Sequence, residues 1–296
     1  MGAGAEEAGG QVMNPSKLFV LIGHPVKYSP SPAMQNSAFE ATGLDYIYVS
    51  LNVPPGMLPD AVAGMRALGI SGANVTIPYK VTIVKLLDEL DKSARVTGAV
   101  NTIKNCSGKL TGFNTDGDGA IMALMESGIN PRSKNVLLLG AGGAAKAIAF
   151  SLIKSGAELT IANRTVPRAK SLAAEIEDKT GKHVQVSGLN KKTLGMISMK
   201  SDVIINATSV GMYPDSGRTI LTSKMIPRES VVFDIVYKPR MTRLLMEARK
   251  AGARTIPGEK MLVYQGALSY EIWTGKKAPV EIMRTAVERE LRRLPV

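Results

Sequence analysis

Val136-Leu137-Leu138-Leu139-Gly140-Ala141-Gly142-Gly143-Ala144-Ala145 decides the fold. Four unbroken apolar residues read as a strand buried on both faces. The chain then turns through glycines and opens a helix predicted to reach about Ser155. In Gly140-x-Gly142-x-x-Ala145 the first glycine permits a tight turn and the second lets backbone approach a pyrophosphate. The small third position allows close helix–strand packing. The helix N-terminus offers free N–H donors to phosphate. A plain tight turn is the ordinary alternative; the strand–turn–helix setting favours the nucleotide reading.

The next strand, Leu159-Thr160-Ile161-Ala162, bears on which nucleotide binds. Where an acid would accept hydrogen bonds from ribose hydroxyls, the chain has Asn163-Arg164-Thr165, with Arg168 one turn later. No acid is present and two guanidiniums are, a pairing suited to a 2′-phosphate. The expected cofactor is NADP rather than NAD. Arg168 also reads as a residue on a solvated helix face. Arg164 stands where the acid belongs.

Working outward, strands are expected at Val203-Ile204-Ile205 and Val231-Val232-Phe233-Asp234. A separate series precedes Asn130-Pro131. Leu18 to Ile22, Tyr46 to Val49 and Asn74 to Ile77 read as strands. Ser31 to Ala41, Leu58 to Leu68 and Tyr79 to Leu90 read as helices. This alternation specifies an α/β architecture of two domains, each with a mostly parallel sheet.

Composition sets limits on function. The 296 residues suit two domains, and 45% apolar with 21% charged residues is ordinary for a globular chain. One cysteine, Cys106, excludes an internal disulfide and fits a reducing, cytoplasmic setting. Two histidines, His24 and His183, leave few soft metal ligands, so no metal site is expected. No apolar run approaches the ~20 residues that span a bilayer. The opening MGAGAEEAGG has neither a basic start nor an apolar stretch and reads as a flexible tail. The net charge of +12 raises nucleic acid as a partner. Against it, aromatic residues are only 5% and no DNA-binding pattern occurs. Residues 117–253 hold 20 Lys and Arg against 11 Asp and Glu, so anionic ligands are sought there first.

The first series carries polar motifs at strand ends. In Gly23-His24-Pro25-Val26-Lys27-Tyr28-Ser29-Pro30-Ser31-Pro32, prolines hold two hydroxyls on a stiff loop, where open α/β sheets bind ligands. Paired hydroxyls suit a carboxylate; Ser-Pro repeats are also common turn formers. Gly72-Ala73-Asn74-Val75-Thr76-Ile77-Pro78-Tyr79-Lys80 places a polar Thr76 in an apolar strand and Lys80 at a helix start. A lysine there opposes the helix dipole and needs a purpose. Gly98-Ala99-Val100-Asn101-Thr102 and Gly112-Phe113-Asn114-Thr115-Asp116-Gly117 repeat the theme. Asp116 in a first helical turn has an ordinary stabilising reading as well.

Together these segments, with NRTxxR at Asn163, INATSVGM at Ile205 and Met261-Leu262-Val263-Tyr264-Gln265-Gly266, resemble the shikimate dehydrogenase family. The resemblance runs from about Leu18 to the last helix. It implies an NADP-dependent oxidoreductase that interconverts 3-dehydroshikimate and shikimate in aromatic amino-acid biosynthesis. Ser29, Ser31 and Tyr237 would bind the substrate carboxylate; Thr76, Asn101 and Gln265 would meet ring hydroxyls or the carbonyl. Lys80 and Asp116 would be the catalytic pair. Gly140, Ala141, Gly142, Gly143 and Ala144 would hold the pyrophosphate, and Asn163, Arg164, Thr165 and Arg168 the adenosine end. Thr208, Ser209, Val210 and Met212 would line the cofactor channel, with Gly258 near the nicotinamide. The implied domains are a substrate-binding and catalytic unit, 1–116 (tail 1–14) completed by 254–296, and a Rossmann-like NADP unit, 117–253, with a cleft between them.

The chain departs from the family pattern at Gln35, where histidine is frequent, at Val81, after the motif lysine, and at Lys260, before Met261. These bear on substrate breadth and on packing beside the nicotinamide; quinate, or broader substrate and NAD use, is the alternative. The expected partners are a small-molecule substrate, no nucleic acid and no membrane, with the chain a monomer or homodimer. With histidines scarce, Lys80 is the expected general acid and Asp116 its orienting partner. A non-catalytic NADP sensor would not need both.

Overall fold

The computed structural model describes residues 16–293, so the expected tail at 1–14 lies outside the described residues. The first series is β1 (Lys17–Gly23), α1 (Ser31–Ala41), β2 (Tyr46–Asn52), α2 (Leu58–Ala67) and β3 (Gly72–Val75). A 3-10 turn at Thr82–Leu86, β4 (Glu89–Leu90), α3 (Lys92–Thr97), β5 (Thr102–Cys106), β6 (Lys109–Phe113) and α4 (Asp116–Glu126) follow. The second series is β7 (Asn135–Leu139), α5 (Gly143–Lys154), β8 (Glu158–Ala162), α6 (Val166–Thr180), β9 (Gln185–Ser187) and α7 (Lys191–Ser198). It continues through β10 (Val203–Asn206), β11 (Val231–Asp234), α8 (Arg243–Ala251) and β12 (Arg254–Ile256). Helices α9 (Glu259–Thr274) and α10 (Val280–Arg293) end the described chain.

These form two six-stranded sheets, ordered β2-β1-β3-β5-β6-β4 and β12-β11-β10-β7-β8-β9. The second is parallel throughout, as the unbroken apolar runs require. The first is parallel across β2, β1 and β3 but receives the antiparallel hairpin β5–β6. That hairpin turns at Ser107 and Gly108, both with positive φ, the pairing that matches strand twist in a two-residue turn.

Tyr79–Leu90 is not the expected helix. Val81-Thr82-Ile83-Val84 is a β-branched run that resists α-helix. Beyond it Asp88 draws the chain to the sheet, accepting a hydrogen bond from the Leu110 amide at 2.6 Å while Arg66 pairs with the same carboxylate. Lys80 therefore lies in a turn, and the helix-dipole argument does not apply to it. The strand ends at Val75, so Thr76 is the first residue beyond it.

The late helices return to the first sheet. Val263, Ala267, Tyr270 and Trp273 of α9 and Met283 and Val287 of α10 share a core with Phe19, Met34 and Phe39. The Phe19 and Trp273 rings lie 4.8 Å apart. The expected crossing at 254 is corrected: β12 pairs with β11 through Val231↔Arg254, so the second sheet extends to Ile256. Helix α4, though it starts at Asp116, packs Ala120, Ala123 and Leu124 into the core of the second sheet. No helix among the described residues is long and apolar enough to cross a membrane.

Gly72 lets α9 lie close on the sheet. A Cβ there would meet Trp273 Nε1 at 2.7 Å and the Ile103 carbonyl at 2.8 Å, two groups that hydrogen bond to each other at 2.9 Å. Gly72→Ala is expected to cost about 2 kcal/mol through overpacking. Thermal unfolding checks this, and an unchanged midpoint contradicts the close packing.

Candidate active site

Each sheet presents its topological switch point toward one cleft. In the second, the chain leaves β7 to one side and β10 to the other, so a crevice opens above their carboxyl ends. Gly140 turns there with φ +118°, and a Cβ on it would meet the Ala207 carbonyl at 2.9 Å. Helix α5 begins at Gly143 with no side chain capping it, which leaves its first N–H groups for a ligand. Gly142 has open space where a Cβ would project. Ala141, Gly143 and Ala144 are half-buried around this turn. The cradle fits a pyrophosphate.

Asn163 continues from β8 beside the glycine turn, since the Gly140 amide bonds to the Ala162 carbonyl at 2.8 Å. Its side chain donates to the Thr165 carbonyl at 3.0 Å. Arg164 and Arg168 are exposed and have no ion-pair partner among the described residues. The loop after β10 carries Thr208, Ser209, Val210 and Met212. Thr208 is fixed by Asn206 Oδ1, which accepts from both its amide (3.1 Å) and its hydroxyl (2.7 Å). Gly258 is buried, and a Cβ on it would meet the Ile235 carbonyl at 2.5 Å.

In the first sheet, β1 leads to the Ser29–Ser31 loop and β3 to Thr76 and Lys80. The Ser29 hydroxyl donates to the Ser31 hydroxyl at 3.1 Å and accepts from the Ser31 amide at 3.3 Å. Thr76 bonds its amide to the Ile22 carbonyl, which sets it beside the end of β1. Tyr237 reaches this loop from the second unit. Burial pushes its phenol above the ordinary range, and the neighbouring Ser29 hydroxyl works against that rise.

The centre is an ion pair. Lys80 Nζ lies 2.6 Å from Asp116 Oδ2, with the two side chains 17% and 3% exposed. Asp116 Oδ1 accepts from Asn101 Nδ2 at 2.9 Å. The same nitrogen also lies 2.8 Å from Thr115 Oγ1 and 3.2 Å from Gln265 Oε1, so its two hydrogens are shared among three acceptors, and the Asn101 side-chain oxygen accepts from the Thr115 amide at 2.8 Å. Asn101 is thus fully engaged by protein; a bond to a substrate exchanges one of these. The facing helix is near, because a Cβ on Gly143 would stand 3.4 Å from Lys80 Cβ.

The structure brings Lys80 and Asp116 together, while Arg164 lies in the link between β8 and α6 and Arg168 in the first turn of α6, both exposed. It also shows supports that sequence reading missed. Asn74 accepts from the Tyr48 hydroxyl at 2.9 Å and donates to the Asn101 carbonyl and to Ser269 Oγ at 2.9 Å. Burial holds the Tyr48 phenol well above its usual range. A polar Asn74 inside an apolar strand was the available signal. The three departures also find places. Gln35 is fully buried and donates to the Gly266 carbonyl at 2.9 Å. Val81 is exposed. Lys260 pairs with Glu126 of α4 at 3.0 Å, so it joins two helices.

A backbone cradle suited to a dinucleotide, facing an ion pair of half-buried Lys80 and buried Asp116, fits a nucleotide-dependent oxidoreductase. Comparison with known proteins narrows the class. Residues 21–103 match the family model for the shikimate dehydrogenase substrate binding domain, 123–242 that for shikimate/quinate 5-dehydrogenase, and 258–288 that for the shikimate 5′-dehydrogenase C-terminal domain. The shikimate dehydrogenase (NADP(+)) of Methanopyrus kandleri is 49% identical over 92% of this chain and 95% of its own. A crystal structure of a shikimate dehydrogenase in complex with NADP+ superposes with a TM-score of 0.88 at 47% identity, covering 93% of this chain and 96% of that one. The Thermus thermophilus enzyme in complex with NADP(H) and shikimate gives 0.84 at 36% identity, covering 93% and 99%. The chain belongs to the shikimate dehydrogenase family.

Asp234 underlies the loops after β10 and β11. It is fully buried and accepts from Asn206 Nδ2 (2.9 Å), the Val236 amide (3.1 Å) and Thr242 Oγ1 (2.6 Å). Burial raises its pKa to about 6 against these bonds. A raised acid contributes its stability fully below the unfolded value near 3.8 and loses it as pH climbs through about 6. The gap in unfolding free energy between wild type and Asp234→Asn is expected to move by on the order of 3 kcal/mol in the variant's favour from about pH 4 to pH 7. Urea unfolding at several pH values measures it; a pH-independent gap contradicts the assignment.

Proposed function

We propose that this protein catalyses the reversible NADPH-dependent reduction of 3-dehydroshikimate to shikimate, with Lys80 and Asp116 as its acid–base pair. The observation that carries the reading is the 2.6 Å Lys80–Asp116 contact opposite the free N-terminus of α5. Family membership supports the substrate. The nucleotide, when bound, supplies the hydride. Lys80 gives a proton from its ammonium to the ketone oxygen as the adjacent carbon is reduced, and recovers one from solvent. In the oxidation direction it accepts the hydroxyl proton. Asp116 orients the ammonium and accepts a hydrogen bond from a neighbouring substrate hydroxyl. Asn101, through its bond to Asp116 Oδ1, keeps the other carboxylate oxygen toward Lys80.

Ser29, Ser31 and Tyr237 hold the substrate carboxylate on this reading, and Thr76, Asn101 and Gln265 meet the ring. Gly140, Ala141, Gly142, Gly143 and Ala144 take the pyrophosphate. Asn163, Arg164, Thr165 and Arg168 take the adenosine phosphate end, while Thr208, Ser209, Val210, Met212 and Gly258 border the nicotinamide channel. The first sheet with α9 and α10 is the substrate unit and the second sheet the NADP unit. The protein works in the cytoplasm as a monomer or homodimer on a small molecule.

Absorbance at the reduced-cofactor band, on mixing protein, NADP and shikimate, tests the activity against NAD and quinate controls. Lys80→Ala is expected to lower kcat by roughly 10²–10⁴-fold with KM for shikimate much less affected. Full turnover in that variant rejects the role. Arg164→Ala is expected to lose about 1.5–3 kcal/mol in kcat/KM for NADP, the worth of hydrogen bonds to a charged group. An unchanged value removes Arg164 from the 2′-phosphate site.

A further inference from the structure

Lys238 follows Tyr237 in the loop after β11. Its Nζ stands 4.1 Å from the Tyr28 ring centroid and 4.5 Å from that of Tyr213. The two rings meet edge to face at 6.2 Å. This nitrogen is buried and has no hydrogen-bond partner among the described residues. A desolvated ammonium against two ring faces is the arrangement in which cation–π attraction is strongest.

The three residues come from both sides of the cleft. Tyr213 and Lys238 belong to one face of the second unit, where the Tyr213 amide bonds to the Lys238 carbonyl at 3.0 Å. Tyr28 belongs to the loop after β1. It precedes Ser29, whose hydroxyl bonds Ser31, with Pro30 stiffening the link. Tyr237, next to Lys238, faces Ser29 from the opposite wall. Fastening Lys238 to Tyr28 therefore sets the spacing between Tyr237 and the two serines. Lys27 also approaches the Tyr28 ring, at 5.6 Å, but it sits on the same loop and cannot bridge the cleft.

We propose that Lys238 is a positioning residue for substrate binding: held between Tyr28 and Tyr213, it fastens the Ser29–Ser31 loop to the second unit and fixes the carboxylate end of the pocket. The substrate part of this inference rests on the function proposed above. Kinetics and hydrogen exchange on Lys238→Met, Lys238→Arg and Lys27→Met test it in the whole protein. Lys238→Met is expected to raise KM for shikimate about tenfold, with kcat and KM for NADP within about twofold of wild type. The Ser29 amide, which bonds the Val26 carbonyl at 3.1 Å, should exchange faster in that variant while the sheet amides do not change. Lys238→Arg should restore both readouts, because a guanidinium also stacks on tyrosine. Lys27→Met should alter neither. The inference is overturned if Lys238→Met leaves KM and Ser29 exchange unchanged, if it impairs both substrates and kcat together, if Arg behaves like Met, or if Lys27→Met has the same effect. Absence of wild-type turnover with shikimate would instead reject the assigned substrate, and exchange at Ser29 would still decide the clamp.

Discussion

A lysine ammonium and an aspartate carboxylate held in contact beneath a cleft are the constraint on which this structure depends. Taking both charges out of bulk water is costly, and attraction offsets that cost only when the remaining lone pairs and protons are satisfied. The chain meets this condition on the carboxylate side. Asn101 serves the second oxygen of Asp116, Thr115 fixes Asn101, and the Asp116 amide donates to Asn114 Oδ1 at 3.1 Å. Beyond them, Thr102, Asn74 and Ser269 form a buried polar layer that ends on the Tyr48 hydroxyl. The ammonium is the more exposed partner and keeps donors toward the cleft.

The pair also explains why the two sheets meet where they do. Lys80 lies just past β3, Asp116 opens the helix that leads into the second series, and Gln265 comes from the returning α9. Asn101 contacts both Asp116 and Gln265, so one amide ties together segments far apart in sequence. Gly143 opposes Lys80, which sets the start of α5 against the Lys80 side chain. At the other side, Lys179 donates to the Val96 carbonyl at 2.8 Å while pairing with Glu175 at 2.6 Å, a second tie between the units. Asp234 plays the corresponding role on the nucleotide face, where one buried carboxyl group holds the loops after β10 and β11.

Strand–helix alternation was legible because apolar runs and glycine-flanked turns are local signals. The glycine turn and the polar residues at strand ends were legible for the same reason. The setting of Lys80 was misread: the apolar spacing of Tyr79–Leu90 fits a helix, whereas β-branched residues and the pull of Asp88 toward Leu110 win. The end of the second unit was misplaced because Arg254-Thr255-Ile256 is too short to announce itself as a strand without β11 beside it. Asn74, Asp234 and Lys238 were passed over because their importance lies in tertiary contacts. Asn74 reaches Ser269, 195 positions away, and Lys238 meets Tyr28 across the cleft.

The most direct measurement is a crystal structure with NADP+ and shikimate bound together. The account predicts Lys80 Nζ within hydrogen-bond distance of the hydroxyl oxygen that is oxidised, Asp116 still holding the ammonium, and the pyrophosphate at the start of α5. A shikimate whose reacting hydroxyl lies away from Lys80, contacted instead by another side chain or by solvent alone, would contradict it.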